Sequence, residues 1–245
     1  MPRPSFARAT VARAAPILAL AAVLAGAPVT SAVAQAPPTS AAPADSAIRL
    51  GGWSMEAWAG YSTRSTDLGF LGNMPDQRLA LAALRVGRRI AAHPNTVLEY
   101  TAELIPLALL SPPARVLPPG TPGCPVDGQC GILGGSSLGA GSAKGAGVSP
   151  LGLTVIFRPA HALQFRAGAT GGVLWFDEAV PMSTATHFNF TAALEAGAQL
   201  VDRNGRGVTL VYRFHHLSNG GTGDDNPGIG SHVFSLGARW RVGRR

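Results

Sequence analysis

From His187 to Val201 the chain alternates without a break. Phe188, Phe190, Ala192, Leu194, Ala196, Ala198 and Leu200 share one face, and Asn189, Thr191, Glu195 and Gln199 share the other. A period of two marks a β-strand whose faces meet different surroundings. The same period recurs at both ends of the chain. Ile48 to Tyr61 sets Trp53, Met55, Ala57, Ala59 and Tyr61 against Ser54 and Glu56, and Ser231 to Val242 sets Phe234, Leu236, Ala238, Trp240 and Val242 against Arg239 and Arg241. Further strands are expected over Arg78 to Ala92, Asn95 to Leu107, Leu151 to Arg158, Leu163 to Trp175 and Gly207 to Leu217. In the third of the eight, Val97, Glu99, Tyr100 and Glu103 leave the register open.

The connections between these strands alternate long, short, long, short, long, short, long. His93-Pro94, Pro159-Ala160-His161 and Asp202-Arg203-Asn204-Gly205 supply the short ones, the last an Asn-Gly hairpin turn. No apolar run in the mature chain approaches the ~20 residues of a membrane helix, so a membrane protein built from it must be a barrel. An even strand count, short turns at one end and long loops at the other fit an all-β, eight-stranded antiparallel transmembrane β-barrel of the outer membrane. Eight strands leave an interior filled by side chains rather than a pore. A secreted soluble barrel or sandwich also alternates, but it does not require the asymmetry in loop length. Against the membrane reading, Trp240 is followed by Arg241-Val242-Gly243-Arg244-Arg245 instead of a terminal aromatic residue.

The N-terminus carries an export address. Arg3, Arg8 and Arg13 precede an apolar run from Ala14 to Ala27, and Ala32-Val33-Ala34 fits a small-x-small cleavage site. Residues 1–34 are therefore expected to be a signal peptide and 35–46 a mobile Ala/Pro/Ser-rich end. Residues 47–245 are the barrel, with a long loop at 108–149. Removing the three arginines takes the formal charge from +7 to +4. No Lys/Arg cluster tracks a phosphate backbone, which excludes nucleic acid as the expected partner, while the positive balance suits anionic headgroups. Cys124 and Cys130 are the two cysteines, and export to an oxidising compartment favours a small loop disulfide over a metal pair lacking further ligands. No zinc motif, phosphate loop or dinucleotide fingerprint is present, so neither metal nor cofactor is expected.

The chemistry concentrates between Tyr212 and Ser231. Val208, Leu210, Tyr212, Phe214, His216 and Ser218 form one alternating series and Thr209, Arg213 and His215 the other, which places His216 and Ser218 on the lipid-facing side near the extracellular rim. A histidine and a serine side by side are the base and nucleophile of ester hydrolysis. Each alone is commonplace: a single strand histidine usually serves hydrogen bonding and a single serine a turn. Asn219 offers an amide donor and Gly220-Gly221 leave backbone N–H groups able to approach an oxyanion. Asp224 and Asp225 follow in Thr-Gly-Asp-Asp-Asn-Pro-Gly, which also reads as an ordinary solvated turn. His215, Glu56, Glu99, Glu103, Glu195, Arg166 and Arg213 have interior parity and suggest a polar network inside the barrel.

His216-Leu217-Ser218-Asn219-Gly220-Gly221 with the downstream Asn226 resembles the lipid A 3-O-deacylase (acyloxyacyl hydrolase) family of Gram-negative outer membranes. The resemblance implies an eight-stranded barrel with its active site on the outside, facing the outer leaflet. It makes Ser218 the nucleophile and His216 the base, with Asn219, Asn226, Gly220 and Gly221 at the oxyanion hole. The implied substrate is the ester-linked 3-hydroxyacyl chain of lipid A or a related outer-leaflet glycolipid; a homodimer is left open. In one place the chain departs from the family. Where the family carries the glutamate of a Ser-His-Glu triad, counting from His216 reaches Gly230, and no Glu lies beyond Glu195. Asp224 or Asp225 is the expected replacement acid, because Glu195 has interior parity.

Overall fold

A computed structural model describes residues 50–62, 64–66, 77–111, 143–181 and 184–242. The expected signal peptide, the mobile end and the Cys124–Cys130 pair lie outside the described residues. Among the described residues the chain forms β1 (Trp53–Ser62), β2 (Ser65–Thr66), β3 (Arg78–His93), β4 (Thr96–Ser111), β5 (Ala143–Phe157), β6 (Leu163–Val180), β7 (Thr186–Val201), β8 (Gly207–Ser218) and β9 (Ile229–Val242). Each long strand pairs antiparallel with the next, and β1 also pairs with β9, so the sheet closes. β2 continues the line of β1 along β9, with Ser65 opposite Ser231 and Thr66 opposite Gly230. The barrel therefore has eight staves, as the alternation implied.

The strands reach further than the residue pattern suggested. β4 runs to Ser111 and β5 starts at Ala143, so both ends of the expected 108–149 loop are paired strand, and 112–142 lie outside the described residues. Gly, Ala and Lys at 143–147 have little strand preference of their own; the neighbouring strands supply hydrogen-bond partners that override it. In β4 the burial alternation is regular from Val97 to Ile105, with Glu99, Thr101 and Glu103 buried, and the register against β5 shifts between Thr101 and Glu103 and between Ile105 and Ala108. Two carboxylates on the inner face had hidden that order.

At the short-turn end the 202–206 turn is fixed by Asp202. Its Oδ1 accepts from the N–H groups of Asn204 (2.8 Å) and Arg206 (2.9 Å), while Gly205 takes φ 76°, a conformation suited to glycine.

The wall and the interior invert the arrangement of a soluble protein. Leu151, Leu194, Leu200, Leu210, Phe234 and Leu236 stand exposed on the outer face. Inside, Arg85, Arg166, Arg213 and Arg239 meet Glu56, Glu99, Glu103 and Glu195. Arg85 grips both oxygens of Glu195 (2.8 and 2.6 Å) and reaches Glu103 (2.8 Å), and Arg166 joins Glu56 (2.7 Å) to Glu195 (3.1 Å). Arg213 reaches Glu195 (3.0 Å) with its guanidinium 3.9 Å from the Trp58 ring centre, and Arg239 holds Glu99 at 2.6 Å. Among the described residues four arginines and four glutamates are buried, so these charges balance. Toward the long-loop end the interior turns apolar, with Leu79, Leu81, Ile105, Leu110, Leu174, Phe176, Leu217 and Val233 in one cluster. An apolar belt outside, a polar interior and a closed sheet are the architecture of an outer-membrane barrel, and by the loop rule the long-loop end is extracellular.

Candidate active site

β8 ends at Ser218, at the long-loop end of the barrel. Burial along it alternates as expected. Val211, Arg213, His215 and Leu217 are buried inside, whereas Leu210 and Tyr212 are exposed outside and His216 and Ser218 are half-buried in that outer series. Across the pairing, Ser218 lies beside Phe190 of β7, and His216 lies between Ala192 of β7 and Gly230 of β9. The position at which the family resemblance calls for a glutamate is thus the direct neighbour of His216, and it carries no side chain.

Beyond Ser218 the chain folds into a tight turn built by its own polar groups. The Asn219 N–H donates to Asn226 Oδ1 at 3.0 Å, which orients that amide, and the Ser218 hydroxyl donates to the same oxygen at 3.0 Å. The Gly220 N–H donates to Ser218 Oγ at 3.1 Å. Asn219 has interior parity and is buried. Its Nδ2 donates to the Asp225 carbonyl (2.7 Å) and its Oδ1 accepts from the Gly221 N–H (2.9 Å). Both asparagine side chains thus serve to shape the turn, and Asn226 presents an oxygen, not an N–H, to Ser218. Gly220 and Gly221 take φ +66° and +78°, which a side chain would strain.

The remaining expected site residues are placed apart from this pair. Asp224 and Asp225 are exposed on the turn, with the Asp225 N–H donating to the Thr184 carbonyl (3.3 Å). Neither carboxylate makes a hydrogen bond or ion pair with another described residue. Glu195 sits in the interior network, as its parity required. His215 is also interior, its Nε2 2.8 Å from Thr191 Oγ1. Among the described residues no group of three or more His, Cys, Asp or Glu could hold a metal.

Two features escaped the sequence reading. Phe190 could have been found by counting equal steps from the 202–206 turn, since Val201 pairs with Gly207 and the same register carries Phe190 to Ser218. His232, on the outer face, is joined to Tyr212 Oη (2.6 Å) and Thr66 Oγ1 (3.2 Å), a chain across β8, β9 and β2 that requires the whole closure of the sheet.

Comparison with known proteins bears on this arrangement. A family model described as lipid A 3-O-deacylase (PagL) matches residues 126–239. Among solved structures, the outer-membrane enzyme PagL is similar at 14% identity and a TM-score of 0.48, covering 76% of this chain and 99% of that one. Neisserial surface protein A gives 12% identity and a TM-score of 0.43, covering 78% and 97%. OprG from Pseudomonas aeruginosa gives 11% and 0.40, covering 80% and 98%. No curated protein matches the chain by sequence. From residue 126 to 239, the span that holds the Ser218 turn, this outer-membrane β-barrel is similar to the lipid A 3-O-deacylase (PagL) family.

Proposed function

We propose that the protein is a serine esterase of the outer membrane that removes an ester-linked 3-hydroxyacyl chain from lipid A. The observation that supports this most is the pairing of Ser218 and His216 on the outer face of β8, with the Gly220 N–H already directed at Ser218 Oγ. Ser218 turns its hydroxyl from Asn226 to His216 and attacks the acyl carbonyl as His216 takes the proton. The oxyanion is met by the Gly220 N–H. His216 returns the proton to the sugar oxygen as the ester C–O bond breaks. Water, deprotonated by His216, then attacks the acyl-serine, and His216 returns that proton to Ser218 Oγ as the acyl–Oγ bond breaks and the 3-hydroxy fatty acid leaves. Asp224 or Asp225 supplies the charge that steadies the imidazolium once the turn brings one of them to His216.

Mass spectrometry of lipid A from cells making the wild-type protein is expected to show loss of one hydroxyacyl chain, and cells making Ser218→Ala are expected to keep it. An unchanged pattern with the wild type, or deacylation that survives Ser218→Ala, would remove this reading.

One observation favours a second reading, a non-catalytic structural or lipid-binding barrel of the same family. Gly230 itself brings no carboxylate to His216, and Asp224 and Asp225 are unengaged by the described residues. An Asp224→Asn, Asp225→Asn double variant separates the two acids from the rest. Full activity in it excludes them as the orienting groups, whereas loss of hydrolysis with an intact barrel supports the esterase.

A further inference from the structure

Gly220 is held from two directions. Its N–H donates to Ser218 Oγ, and its α-carbon rests against the ring of Phe190, where a Cβ would come within 2.9 Å of Cε2 and 3.0 Å of Cδ2. Phe190 is the cross-strand neighbour of Ser218, so the residue whose ring meets the turn is also paired with the strand end. Phe188 meets that ring edge-on, with centroids 5.3 Å apart, which restricts its rotation. The ring is nevertheless 48% exposed, on the wall that faces hydrocarbon.

We propose that Phe190 is a positioning and specificity-determining residue for the reaction proposed above, on which this inference rests. Its ring keeps the Gly220 N–H aimed at Ser218, and its exposed side contacts the acyl chain being cleaved. An oxyanion donor is effective only when its position is set before the charge develops. The turn itself sits at the membrane edge, with two consecutive exposed glycines followed by the exposed Thr222, and the ring is a rigid aromatic support beneath it. An ester carbonyl placed at Ser218 must send its chain along the outer wall, and the Phe190 ring lies next to Ser218 on that wall.

The test uses the full-length protein in detergent micelles, with p-nitrophenyl butyrate and p-nitrophenyl dodecanoate as substrates. In Phe190→Ala, kcat on both esters is expected to fall about 10²-fold, the scale of a misplaced catalytic donor. KM should stay near wild type for butyrate and rise severalfold for dodecanoate. Phe190→Leu, which keeps an apolar group under Gly220, should recover part of the kcat. Hydrogen exchange of the Gly220 amide should speed up in Phe190→Ala and slow again in Phe190→Leu. A role confined to folding would lower the yield of folded barrel but leave kcat per folded molecule and that exchange rate unchanged, which would overturn the proposal. An unchanged dodecanoate KM would overturn the chain contact. Ser218→Ala keeps the two readings apart: persistent hydrolysis in it defeats the esterase mechanism, while Gly220 amide exchange, compared with and without Phe190→Ala in that background, still reports whether Phe190 holds the turn.

Discussion

Gly230 and Ser218 carry opposite messages at neighbouring positions. Ser218 has a hydroxyl within reach of a backbone donor, whereas Gly230 offers nothing to the imidazole beside it. For the proposed base, a carboxylate alongside would set the tautomer and stabilise the cation. Gly230→Glu places a carboxylate on the outer face of β9 next to His216, and kcat/KM for ester hydrolysis is expected to rise about tenfold or more. A rate that stays level or falls would mean that another group already orients His216. At this scale the sequence was informative about faces. Parity put His216 and Ser218 outside and Glu195 inside, and the structure agrees. The same parity puts Asn219 inside, so the oxyanion duty that the resemblance gives it conflicts with its own strand position. Its buried amide ties the turn together instead.

The element that matters is the end of β8 with the turn into β9. Asn226 Oδ1 accepts two hydrogen bonds, from Ser218 Oγ and from the Asn219 N–H, and so closes the turn on the strand end. Asn226→Ala removes that acceptor and both hydrogen bonds, each worth about 1 kcal/mol. Amide exchange at Asn219 and Gly221 is expected to speed up and kcat to drop, with barrel stability in detergent little changed. A large loss of barrel stability would show that the turn supports the fold and not only the site. Strand existence was legible here because a period of two needs only local sequence. Strand length and bulges were not. The register shifts at Ile105/Ala108 and Val148/Leu151 depend on which residue each strand meets across the sheet, and the pairing of 143–149 depends on its neighbours rather than on its own composition.

Taken whole, the barrel is held on the inside by charge. Glu195 touches Arg85, Arg166 and Arg213, contributed by β3, β6 and β8. Glu195→Gln leaves three buried guanidinium groups short of one anion, and breaking such a pair costs about 3–5 kcal/mol. The expected result is a lower melting temperature in detergent, with Ser218 and its turn unaltered at temperatures where the variant is folded. Unchanged melting would mean that the remaining glutamates compensate. The sequence indicated that a polar interior exists but could not say who meets whom. Arg85 and Glu195 lie 110 positions apart, and only closure of the sheet brings them together. The outward aim of Ser218 and His216 has a kinetic corollary. In the proposed esterase, a reacting pair on the outside of the wall would meet its substrate by diffusion in the plane of the leaflet, so the concentration that governs its rate would be a mole fraction of lipid, not a molarity. Adding inert detergent to mixed micelles at constant total substrate should slow hydrolysis in proportion to surface dilution, as velocities measured across a detergent series would reveal.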